Sequence, residues 1–136
     1  MRALVLLPFA LVLAACQPDG VRLPDPTGDT SQNALDWAGR YEGLLPCADC
    51  AGIRSVLDLT EDGHFTLSET YEGKGGTAFV TKGRFTWDAA GSVITLGKGS
   101  DLRRFKVGEG RIWHLDQQGR VIDGALAENY ILTKSR

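Results

Sequence analysis

Cys47 and Cys50, in the run Leu45-Pro46-Cys47-Ala48-Asp49-Cys50-Ala51-Gly52-Ile53, carry the most distinctive chemistry in this chain. Two thiols this close can close a disulfide, exchange with other thiols, or clamp a soft cation such as Cu(I). In an oxidising compartment the pair would be joined, and closing so small a ring contributes about 2 kcal/mol in the loop-entropy picture. Cu(I) accepts low coordination by soft thiolates, so a reduced pair suits it, whereas structural zinc asks for four ligands. The chain has two histidines to add, His64 and His114. His64 follows a turn glycine and His114 alternates with Trp113, so both are expected as surface or strand residues rather than ligands. Thiol–disulfide exchange has less support, because Asp49 inside the motif disfavours a thiolate and strand-like sequence follows. A loop that contacts a protein partner is the fourth option.

The third cysteine, Cys16, belongs to a different kind of segment. Arg2 is followed by an apolar run from Ala3 to Leu13 and by Ala14-Ala15. A run of that length, interrupted by Pro8, suits a secretory signal better than a membrane-spanning helix. Leu13-Ala14-Ala15-Cys16 resembles the lipobox of bacterial lipoproteins, in which the cysteine is acylated and becomes the first residue of the mature chain. Cys16 is therefore the expected lipidation site, tying the chain to a membrane through acyl groups worth about 0.8 kcal/mol per buried methylene. Gln17 after it, where the resemblance would place Asp for retention, favours the outer membrane. Residues 17–36 are rich in Pro, Asp, Gly, Thr, Ser, Gln and Asn and read as a flexible tether.

One small domain is expected over 37–136. The whole chain has 15 basic and 17 acidic side chains and a net charge of −2, which asks for no nucleic acid and no anionic surface. Turn sequences recur at Glu61-Asp62-Gly63, Glu72-Gly73-Lys74-Gly75-Gly76, Asp88-Ala89-Ala90-Gly91, Gly97-Lys98-Gly99, Gly108-Glu109-Gly110 and Gln117-Gln118-Gly119. Between them lie runs in which apolar and polar residues alternate, as in Phe65 and Leu67 against Thr66 and Ser68. About eight strands are expected, near 38–45, 53–60, 64–71, 77–87, 92–96, 102–107, 111–116 and 127–134. Short strands joined by tight turns predict an all-β fold, an up-and-down antiparallel barrel whose closure removes exposed edges; a two-sheet sandwich is the alternative. Gly39 and Gly43 flank Tyr41 where bending would help closure, and Trp37, Trp87 and Trp113 are expected in core or rim packing. No nucleophile elbow, phosphate loop or zinc-protease pattern is present, and an enzyme is not expected.

The segment from Gly39-Arg40-Tyr41-Glu42-Gly43-Leu44-Leu45-Pro46 through Cys47-Ala48-Asp49-Cys50-Ala51-Gly52-Ile53 resembles the signature of the NlpE copper-resistance lipoprotein family, in its N-terminal domain. The likeness continues through Leu57-Asp58-Leu59, the Glu61-Asp62-Gly63 turn and Tyr130-Ile131-Leu132-Thr133-Lys134, covering essentially all of 37–136. It implies a small lipocalin-like barrel and links to copper tolerance, surface adhesion and envelope-stress signalling. The expected function is thus a lipid-anchored protein of the bacterial cell envelope, facing the periplasm from the outer membrane. Cys47 and Cys50 would form a disulfide or a Cu(I) site, with copper as the one candidate cofactor and an envelope protein as a candidate partner. The competing expectations are a carrier of a small apolar ligand and a thiol–disulfide exchange protein.

Overall fold

The computed structural model describes residues 28–136. The leader, Cys16 and residues 17–27 lie outside the described residues. A short helix α1 (Ser31–Ala34) precedes eight strands: β1 (Gly39–Leu45), β2 (Ile53–Leu59), β3 (His64–Tyr71), β4 (Ala78–Trp87), β5 (Val93–Leu96), β6 (Arg103–Gly108), β7 (Arg111–His114) and β8 (Ile131–Lys134). Each strand pairs antiparallel with its neighbour in sequence, and β8 returns to β1, giving a closed up-and-down barrel. The sandwich alternative is set aside by that last pairing.

Period-two alternation builds the interior. Along β2, Leu57 and Leu59 are buried while Asp58 between them faces outward, and along β3 Phe65 and Leu67 are buried in the same way. These side chains join Tyr41, Phe85, Ile94, Leu96, Phe105, Val107, Ile112 and Leu132 in one core cluster. Outward positions carry cross-strand charge pairs such as Arg40 on β1, which grips Asp58 on β2 through two bonds of 2.8 and 2.9 Å.

Closure is thin at the β1–β8 seam, where two residue pairs, Tyr41↔Lys134 and Glu42↔Thr133, hold the register. Gly43 sits beside it. A Cβ on Gly43 would fall 2.8 Å from the Ile131 carbonyl oxygen, so the glycine permits the strands to approach.

Three differences from expectation exceed a single residue at a strand end. The strand expected over 127–134 begins only at Ile131, because Ala127–Tyr130 forms a 3-10 turn whose short-range bonds, such as Asn129 N–H to the Leu126 carbonyl, occupy amides a ladder would need. The strand expected over 111–116 stops at His114, where the Asp116 carboxylate accepts from the Gln118 and Arg120 amides and turns the chain. Residues 28–36, placed in the tether by their polar composition, lie against the barrel. Thr30 caps α1 by accepting from the Asn33 amide, and the Asn33 side chain accepts from the Thr30 amide in return. Ser31 Oγ donates to the Val107 carbonyl at 2.7 Å, the Gln32 amide donates to the Gly91 carbonyl at 2.9 Å, and Lys134 Nζ lies 2.9 Å from Asp36. Polar residues that look solvated in isolation here satisfy barrel backbone. Trp37 completes this end, packing edge-on against Phe85 and Trp87 at 5.7 and 5.4 Å between ring centres.

Candidate functional site at the barrel mouth

The antiparallel order sorts the connections to two ends. Residues 28–38 and the turns at 60–63, 88–92 and 109–110 gather at one, which α1 and Trp37 close. The other, the mouth, carries the loops 46–52, 72–77, 97–102 and 115–130. Cys47 and Cys50 are in the first of these loops, so the motif sits at the opposite end of the barrel from the point where the chain enters.

The two cysteines are joined as a disulfide with their Cα atoms 5.3 Å apart. Two backbone bonds pin the loop to the neighbouring β3–β4 turn. The Glu72 amide donates to the Gly52 carbonyl at 2.9 Å, and the Ala51 amide to the Glu72 carbonyl at 3.3 Å. Arg54 Nε also donates to Glu72 Oε1 at 2.8 Å, and Lys74 Nζ reaches Asp49 Oδ2 at 3.2 Å. Both members of that last pair are exposed, so it contributes about 0–1 kcal/mol at most. The donor atoms of Cys47, Asp49 and Cys50 lie within 4.8 Å of one another. In the disulfide the sulfurs are bonded to each other and offer no thiolate; reduction would convert the same loop into two adjacent soft ligands beside a carboxylate.

Neither histidine joins them. His64 stands at the closed end, where Nδ1 is 2.9 Å from Asp62 and Nε2 is 3.3 Å from Arg84. His114 points into the barrel with its ring edge-on to Phe105 at 5.0 Å, and its buried Nδ1 has no hydrogen-bond partner. Burial, followed by the nearby charge of Arg103, pulls the His114 pKa below the ordinary imidazole value. The shift favours the neutral ring, which Phe105 meets edge-on.

Beneath the loop the mouth opens into a cavity of about 700 Å³. Phe65, Leu67 and Leu96 supply apolar wall, Tyr71 and Phe79 stand at the lip, and Glu69, Arg103, Asp101, Asp49 and Lys74 contribute charge. Sequence reasoning missed Glu69, and from sequence the basic run Leu102-Arg103-Arg104-Phe105-Lys106 reads as a solvated outer face, whereas Arg103 lines the cavity. Their positions share the inward parity of Leu67 on β3 and Phe105 on β6, and a charge at such a position is the signal that could have found them.

Comparison with known proteins places this architecture. The profile of the family described as NlpE N-terminal domain matches residues 41–125, more than half of the chain. Lipoprotein NlpE of Escherichia coli is 32% identical over 94 residues, which are 68% of this chain and 39% of that protein. The chain thus spans well under half the length of this curated relative. Among solved structures, a protein from Shewanella oneidensis is 52% identical with a TM-score of 0.74, covering 79% of this chain and 97% of that one. The Cpx pathway activator NlpE from Escherichia coli is 27% identical with a TM-score of 0.53, covering 64% of this chain and 46% of that one.

Proposed function

Because this chain belongs to the NlpE N-terminal-domain family, we propose that it is a lipid-anchored cell-envelope protein acting in copper homeostasis or envelope-stress sensing, with the Cys47–Cys50 loop as its responsive element. The observation that carries this reading is the placement of that pair: a partly exposed disulfide on the mouth loop, at the far end of the barrel from the entering chain. An anchor at Cys16 would put the closed end toward the membrane and hold the mouth toward the surrounding compartment. The names of the relatives, a lipoprotein and an activator of the Cpx pathway, support the envelope setting.

The residues fit copper in one oxidation state of the loop. With the disulfide intact there is no soft donor; with it reduced, Cys47 and Cys50 would hold Cu(I), and Asp49 would add a hard oxygen that contributes little to a soft ion. Copper bound there would withdraw the thiols from reoxidation. The motif loop shares backbone bonds with the β3–β4 turn, so a change in its state is felt at the lip of the mouth, where a partner protein in the envelope can read it. The reading is of a sensor or binder rather than an enzyme.

Mass spectrometry of the protein isolated from membranes under anaerobic conditions tests the whole reading. The account expects an acylated Cys16 as first residue, and Cys47 and Cys50 either disulfide-linked or carrying copper. Protein with no acyl mass, or with the two thiols free and metal-free in copper-treated cells, would contradict it.

A further inference from the structure

The mouth cavity contains two half-buried charges of opposite sign, Glu69 and Arg103. Glu69 on β3 and Arg103 on β6 both line it from inward-facing positions, and among the described residues neither forms an ion pair. Arg103 makes one long bond, from Nη1 to its neighbour's carbonyl, Leu102 O, at 3.4 Å. Partial burial of an unpaired charge is unfavourable unless another group replaces the lost water. The remaining charges at the mouth are in a different condition, since Asp49 is paired with Lys74 and Asp101 is exposed.

Apolar surface flanks the two charges on both sides. Deeper in the barrel Phe65, Leu67 and Leu96, each 5% exposed or less, form only a narrow apolar floor; at the lip Tyr71 and Phe79 pack edge-to-face at 5.8 Å, with Phe79 60% exposed. A volume of about 700 Å³ lies inside the range of roughly 300–1,000 Å³ usual for small-molecule sites. A purely apolar ligand would strip water from Glu69 and Arg103 and return nothing. An anionic head would satisfy Arg103 and be repelled by Glu69, and a cationic head would meet the reverse problem.

We propose that the cavity binds a single-chain amphiphile with a zwitterionic head that carries both a primary ammonium and a phosphate. Arg103 presents its planar donors to the phosphate, Glu69 accepts from the ammonium, and the chain lies over the exposed Tyr71 and Phe79 at the lip. This differs from the expectation of a small apolar ligand in the charged head it requires, and it is independent of the copper reading, because none of these contacts involves Cys47 or Cys50.

Isothermal titration of residues 28–136, which hold the entire barrel and its core, tests it with four dodecyl compounds below their micelle-forming concentrations. The heads are phosphoethanolamine, phosphate, ammonium and hydroxyl. The zwitterion is expected to bind about tenfold more tightly than either singly charged compound, the scale of one charge-assisted bond. Glu69→Gln should abolish its advantage over dodecyl phosphate, and Arg103→Gln its advantage over dodecylammonium. Absence of binding by all four compounds overturns the proposal, as does dodecanol binding as tightly as the zwitterion or a head-group order untouched by both substitutions. The comparison on the unaltered protein decides the matter even if a variant fails to fold.

Discussion

Removing the disulfide should loosen the mouth without unfolding the barrel, and its cost can be worked from the ring it closes. Cys47 and Cys50 are three residues apart, and for a ring of about four residues the chain-entropy relation gives about 6 cal/mol/K, or about 2 kcal/mol at room temperature. Any strain in the ring subtracts from that figure. The loop keeps its other ties after reduction, because the Glu72–Gly52 and Ala51–Glu72 backbone bonds do not depend on sulfur. None of the core residues from Tyr41 to Leu132 belongs to the motif apart from Leu45 at its edge. For a domain of this size a loss of about 2 kcal/mol lowers the melting temperature by about 8–12 °C. Thermal unfolding of Cys47→Ser with Cys50→Ser, followed by circular dichroism, should show one cooperative transition shifted by no more than that. A loss above about 4 kcal/mol, or a transition that breaks into two, would refute the reasoning: the pair would then be a staple of the fold and unsuited to switching.

Tyr41, fully buried, donates to the Trp37 carbonyl at 2.6 Å, and burial, with Asp36 nearby, pushes its pKa up from 10.0 to about 12. The folded state favours the protonated phenol, so stability is intact below about pH 10 and is lost as pH rises toward about 12; Tyr41→Phe should cost about 1–2 kcal/mol at neutral pH and flatten that alkaline fall in denaturant titrations. His114 has the opposite sense, a lowered imidazole pKa, so its contribution is complete above the ordinary value of about 6.5 and fades as pH falls below it. An NMR titration of its ring should show the low pKa rising in Arg103→Gln, as one source of the shift is removed. Gly43→Ala should destabilise by about 1–3 kcal/mol through the clash with the Ile131 carbonyl, and hydrogen exchange should show the loss concentrated at the β1–β8 seam.

The barrel was legible because half-buried antiparallel strands write their inward face as a period-two pattern, and the glycine-rich turns punctuate it. Leu57 with Leu59 and Phe65 with Leu67 are examples in which parity alone identifies the core. The cysteine pair was legible as a chemical unit for a simpler reason, since its two members are local in sequence. What escaped the sequence is non-local. The docking of Ser31 and Gln32 on Val107 and Gly91 depends on backbone acceptors 76 and 59 residues away, and polar composition hides it. The meeting of Glu69 and Arg103 in one cavity depends on closure, which brings β3 and β6 around the same mouth. His114 was placed on a strand correctly, but its inward parity is evident only beside Ile112 and Phe105.

The central claim is the proposal that the Cys47–Cys50 loop, once an external thiol has reduced its disulfide and been oxidised in turn, would hold Cu(I). Its most direct test is an anaerobic Cu(I) competition titration against a chelator, comparing reduced protein, air-oxidised protein and the Cys47→Ser, Cys50→Ser double variant. The account predicts one equivalent of Cu(I) held by the reduced protein and none by the other two, because only free thiolates offer soft lone pairs. Reduced protein that competes no better than the double variant would contradict it.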